Sequence, residues 1–327
     1  MRILALTFGD LNCASTYYRL GQHLGRLKED GIECDLLTSP SARLPTPEQL
    51  SGYDVLLVQK RLFSCRTVNY LRRHAKRLVY DTDDATWQPQ RRKHNWLTRW
   101  RTNRRLKAVV RAADLCVVAN NYLGDHLRSL GGQTHLIPMS LNEKEWPPPF
   151  PGTTVPLVRI GWSGAPANLR YLEALEPLLH EVLRRHRSAE IAIFCGEHPS
   201  FKNELTYSYL PWKKGGEHEA ISTFHLGLLP LPMDAFSQGK SPIKALQYMA
   251  VGIPVVGTPA AGALEIGNSQ NGVHFAQSDE QWLQLLGNLI ENQKFRCSQG
   301  LAARQLFASN YAASHVYKKW IKLVTQS

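Results

Sequence analysis

Gly239-Lys240-Ser241-Pro242-Ile243-Lys244 is a stretch with the residue types to hold an anion. Ser241 can cap a helix, and Pro242 suits its first turn, where a missing N–H costs nothing. Ile243, Leu246 and Ala250 then recur at helical spacing toward a core, and Gly252 closes the helix. Lys240, Lys244 and Gln247 fall on the opposite stripe, four and then three residues apart. Two lysines beside the unpaired N–H groups of a helix start attract phosphate. A solvated basic face on an amphipathic helix uses the same residues, and local physics leaves both readings open.

Asp81, Asp83 and Asp84 crowd three carboxylates into four residues just after the apolar Leu78-Val79. Such a cluster repels itself unless a cation or hydrogen-bond donors sit beside it. A helix N-cap would occupy one aspartate but hardly three. Asp-x-Asp also invites magnesium. Gly161-Trp162-Ser163-Gly164 leads into Ala165 to Arg170 as a strand, a glycine-bearing turn and a helix start. Gly164 would let backbone approach a ligand, with Arg170 as the nearby cation, serving either a phosphate or the surface. In the loop Gly9 to Arg19, Ser15 is a natural N-cap, and Arg19 reaches either a ligand cleft or solvent. His225 opens an apolar run and reads as a structural histidine; the other histidines lack metal-ligand spacing.

The elements that must position these residues alternate. Apolar runs at 2–8, 34–37, 55–58, 78–80, 115–118 and 136–137 are separated by helix-length segments such as 66–75, 94–112 and 120–130. The pattern breaks at 142–156, where Pro147-Pro148-Pro149, Pro151 and Pro156 read as a linker. It restarts with strands at 157–161, 191–195, 224–229, 253–256 and 273–275 and a helix over 167–186. The last stretch, 301–324, reads as one long helix. Short, continuously apolar strands joined by helices predict an α/β chain of two doubly wound, parallel-sheet domains.

Lys244-Ala245-Leu246-Gln247-Tyr248-Met249-Ala250, followed by Gly252, Pro254, Val255 and Val256, resembles the nucleotide-sugar segment of glycosyltransferase family four. Tyr80-Asp81-Thr82-Asp83-Asp84, with Gln59-Lys60-Arg61 one strand earlier, is similar to a bacterial subset of that family. Many members carry two glutamates where this chain has Gly239 and Gln247. The resemblance implies the GT-B fold: an acceptor-side Rossmann-like domain over 1–150, a nucleotide-sugar domain over 151–305, and a terminal helix, 306–327, crossing back to the first. It implies a nucleotide-diphosphate sugar donor held around Gly164, Arg170, Gly239, Lys240, Ser241, Lys244 and Gln247. It also implies retention at the anomeric carbon, no metal or other cofactor, and Asp83 or Asp84 orienting or deprotonating the acceptor hydroxyl. The missing glutamates keep a second reading in view, a catalytically degenerate nucleotide-sugar-binding or scaffold protein; an epimerase on the same fold is a further one.

Composition fits this frame. A chain of 327 residues, 43% hydrophobic and 20% charged, suits two soluble domains. Six cysteines without a C-x-x-C pair read as buried thiols in a reducing compartment. No run approaches a membrane span, so the expectation is a cytoplasmic protein. Net charge is +12, of which +9 falls in residues 1–150. Nine Lys and Arg lie between 91 and 111 around Trp96, Leu97 and Trp100, with no acidic residue between Asp84 and Asp114. That segment suits an anionic membrane face, nucleic acid or an acidic, lipid-linked acceptor. Nucleic acid is the weakest of these, since no recognised nucleic-acid motif accompanies it.

Overall fold

The computed structural model describes residues 1–38, 44–89, 95–148 and 157–325. Residues 91–94 of the basic segment and 149–156 of the proline-rich segment lie outside them. The chain folds as two compact units, each built around a sheet of six parallel strands.

The first unit comprises Met1–Ser140, Ala235–Ser241 and Ala313–Ser327. Its strands are β1 (Arg2–Leu6), β2 (Glu33–Leu37), β3 (Val55–Gln59), β4 (Leu78–Thr82), β5 (Leu115–Val118) and β6 (Thr134–Leu136). They lie in the order β2-β1-β3-β4-β5-β6. β3, β4 and β5 are buried along their whole length, which is why they read as unbroken apolar runs. Winding reverses between β1 and β3, so a crevice opens at their carboxyl ends. The helix Ala313–Thr325 lays Val316, Tyr317, Trp320 and Val324 into one core with Ile3, Ala5, Val55, Leu57 and Val79.

The second unit comprises Leu141–Asp234 and Pro242–Ala312. Its strands are β7 (Val158–Ser163), β8 (Ala189–Cys195), β9 (Tyr207–Pro211), β10 (Leu226–Leu229), β11 (Val255–Gly257) and β12 (Val273–Phe275), in the order β12-β11-β10-β7-β8-β9. Here the reversal lies between β7 and β10. The core gathers Ile160, Trp162, Leu179, Ile191, Ile193, Leu226, Leu228 and Leu286.

Four features differ from the sequence reading. β9 is absent from it, because this strand sits at the sheet edge, has four half-buried residues and none fully buried, and ends in an exposed proline. The stretch 301–324 is two helices, Gln293–Asn310 and Ala313–Thr325, parted at Tyr311 and Ala312. The single helix over 167–186 is interrupted, with Leu169–Glu173 followed by Glu176–Arg185, whose first turn holds Pro177. Near the N-terminus, where Leu20, Leu24 and Leu27 recur at the spacing of one helix, Ala14–Arg19 and Leu24–Glu29 are separate helices joined by a turn over Gly21–His23.

Candidate active site

In the first unit, chemistry gathers where β3 and β4 end. Lys60 follows β3 directly, with φ +56°, a left-handed conformation that a lysine rarely adopts. Its backbone N–H donates to the Asp81 carbonyl at 2.8 Å, which holds the turn in place. The side chain is buried, and its Nζ lies 2.7 Å from Asp84 Oδ2, 3.1 Å from Asp83 Oδ1 and 2.8 Å from Ser15 Oγ. Ser15 Oγ donates in turn to Asp83 Oδ2 at 2.7 Å. Burial works against the Lys60 ammonium, but Asp83 and Asp84 more than offset it and raise its pKa. The Asp84 carboxyl is also pushed up, by burial and then by Asp83, while Lys60 and Lys240 pull it down.

The three carboxylates therefore divide. Asp81 is taken by Arg19, a buried pair that also ties Arg19 Nη1 to the Ile137 carbonyl at 2.6 Å. Arg19 faces neither a ligand cleft nor solvent, contrary to both sequence expectations. Asp83 is buried, with one oxygen on Lys60 and the other on Ser15. Asp84 keeps about a quarter of its side chain exposed (26%), whereas Asp81 and Asp83 are buried, so it is the one of the three that is open to solvent. Ser15 is not a cap: the N-cap is Cys13, and Ser15 lies inside the helix facing Lys60. Lys60 and Ser15 are functional candidates that sequence reasoning did not place in the site. The signal for Lys60 was a lysine closing the buried run Val55 to Gln59.

The segment 239–241 belongs to this unit. Asn120 Nδ2 donates to the Gly239 carbonyl at 3.2 Å, and Ser241 Oγ donates to the Asp83 carbonyl at 2.7 Å. Ser241 is thus no N-cap; Pro242 occupies that position, ahead of the first turn of the helix Ile243–Ala250, and no side chain caps it. A Cβ at Gly239 would stand 2.7 Å from Ala85 Cβ and 3.0 Å from Leu123 Cδ2, so the backbone approach leaves no room for a glutamate.

Gly164, Arg170, Lys244 and Gln247 lie in the second unit. Gly164 follows β7 at the winding reversal, packed so that a Cβ would strike the Trp162 ring at 2.5 Å. Tyr248 Oη accepts from the Ser163 N–H at 2.9 Å and ties the helix Ile243–Ala250 to the end of β7. Arg170 is exposed, with its guanidinium 4.8 Å from the Tyr171 ring centre. Lys244 is half-buried; burial lowers its amine to about 8, against the opposing charges of Glu217 and Cys195. Gln247 is buried within the helix, so it does not share an exposed stripe with the lysines. Lys240 precedes the helix. His225 is structural, its Nδ1 accepting from the Arg159 N–H at 2.8 Å. Among the described residues no three His, Cys, Asp or Glu side chains converge as a metal-ligand set.

No known family profile and no curated protein matches the sequence. Solved structures do. Sucrose-phosphate synthase from Thermosynechococcus elongatus superposes with a TM-score of 0.74 at 14% identity, covering 99% of this chain and 98% of that one. HepE from Anabaena, in complex with UDP-glucose, gives 0.66 at 13% identity over 99% of both chains. An alpha-glucosyltransferase in complex with UDP and a DNA containing an HMU base gives 0.66 at 12% over 100% of both. Likeness at these identities establishes the fold: the chain has the two-unit α/β architecture of GT-B glycosyltransferases.

Proposed function

We propose that this chain is a retaining, metal-independent glycosyltransferase resembling family four. It would move a sugar from a nucleotide-diphosphate donor to a hydroxyl of a glycan or lipid-linked acceptor, in cell-surface glycan synthesis. The observation that carries the reading is the whole-length likeness to glycosyltransferases, among them structures with UDP or UDP-glucose bound. In the first unit Asp84 takes or orients the acceptor proton, its raised pKa making it a stronger base than an ordinary aspartate. Asp83 and Ser15 fix Lys60, whose ammonium offsets part of the charge of Asp83 and Asp84. In the second unit Lys244 and the backbone after β7, around Gly164 with Arg170 beyond, face the donor phosphates and balance the charge that leaves with them. All six cysteines are free thiols, which supports a cytoplasmic setting.

Calorimetry with a panel of nucleotide-diphosphate sugars, beside a transfer assay, tests the reading. UDP affinity should fall as pH rises through about 8, where the Lys244 ammonium loses its proton, and should stay flat in Lys244→Arg. Lys244→Ala should lose most transfer activity with unchanged circular dichroism; full turnover would remove this lysine from the phosphate site. Binding of a nucleotide sugar with no transfer would favour a degenerate binding protein, the alternative that Gly239 and Gln247 raise.

A further inference from the structure

We infer that the outer face of the helix Trp96–Ala112 docks on a lipid bilayer carrying anionic headgroups. The inner face of this helix is fixed, with Leu106, Val109 and Val110 buried. On the outer face Trp96 is 73% exposed, Leu97 53% and Trp100 57%. Arg104, Lys107 and Arg111 follow on that face, all exposed, because steps of three and four residues keep one stripe. One end of the stripe is therefore apolar and the other cationic, with the Arg104 guanidinium 5.3 Å from the Trp100 ring centre where the two meet.

The helix carries six Lys and Arg and no acidic residue. Among the described residues no carboxylate pairs with Arg99, Arg101, Arg104 or Lys107. That charge calls for an anionic occupant, and it repels a second copy of the same face. The aromatic end then decides between anionic surfaces. Tryptophan beside leucine gains by entering the boundary between headgroups and acyl chains, with the cations held at phosphate level. A nucleic acid would use the cations but gain nothing from Leu97. Among the described residues no helix is long and apolar enough to cross a membrane. This inference concerns where the chain works rather than what it transfers, and it stands or falls apart from the reading above.

Cosedimentation of the full chain with vesicles tests it. Vesicles of phosphatidylcholine mixed with phosphatidylglycerol should bind the chain, those of phosphatidylcholine alone should not, and added salt should release it. Tryptophan emission should shift to the blue on binding. Arg104→Gln/Lys107→Gln/Arg111→Gln should weaken binding about 100-fold. Trp96→Ser/Trp100→Ser should weaken it by at least about tenfold. Both sets of side chains are exposed, and of them Arg111 also holds backbone, its Nε donating to the Leu130 carbonyl at 3.0 Å, so circular dichroism should be unchanged. Three results overturn the inference: no binding to anionic vesicles, binding unchanged in both variants, or equal binding to neutral vesicles. Salt-dependent binding of DNA without vesicle binding would assign the face to nucleic acid instead.

Discussion

Lys60 holds two aspartates and a serine from a left-handed backbone position, and that combination separates the jobs of the carboxylates beside it. Asp84→Asn should lower turnover about 100-fold, the scale of a lost general base, while leaving nucleotide binding intact. The acid limb of the wild-type rate profile should lie above the usual aspartate range, because the base works deprotonated and its pKa is raised; it should vanish in the variant. Asp83→Asn should instead lower the melting temperature, since Asp83 has both oxygens committed inside the protein. If Asp84→Asn keeps full turnover, the cluster is structural. Legibility at this scale was partial. The crowding of Asp81, Asp83 and Asp84 was visible in the sequence, and so was their need for cations. Which cation goes to which carboxylate was not, because Arg19 and Lys60 arrive from elements 62 and 24 residues away from their partners. Ser15 and Ser241 looked like caps because serine usually is one; tertiary hydrogen bonds to Asp83 claimed both.

At the level of elements, β7 shows how backbone is brought close. Gly161 lies under Phe224, and a Cβ there would stand 1.9 Å from the ring. Gly161→Ala should therefore destabilise the chain by about 2 kcal/mol, the cost of overpacking a tight core. Chemical denaturation measures it, and pairing the change with Phe224→Leu should recover part of the loss. A neutral Gly161→Ala would mean that the ring moves freely. Most strands were legible because β3 and β5, the first three residues of β4 and the last five of β8 are buried on both faces and almost wholly apolar. β9 was not, since an edge strand needs only half a hydrophobic pattern. The break at Tyr311-Ala312 carries no glycine or proline, and the apolar residues on either side keep a helical rhythm, so nothing local marks it. The departure at Gly239 was plain in the sequence, but its reason, contact with Ala85 and Leu123, is a fact of packing.

For the molecule as a whole, the last helix belongs to the first sheet. Trp320 is 2% exposed, packed with residues from the start of the chain. Trp320→Ala should cost about 4 kcal/mol, and a chain ending at residue 312 should lose the cooperative unfolding of the first unit while the second persists. A truncated chain that melts like the full one would show that the helix contributes little. The first unit is drawn from three separate pieces of sequence, and the polypeptide passes from one unit to the other at 140–141, 234–235, 241–242 and 312–313. No single protease nick or simple deletion can release that unit whole. During synthesis it stays unfinished until residues 313–325 leave the ribosome, so nascent chains would expose the Ile3 and Val79 core to chaperones while the whole second unit is being made. Anyone wishing to study it alone must splice residue 140 to 235 and 241 to 313, or accept a fragment that lacks either its roof or the loop that touches Asp83.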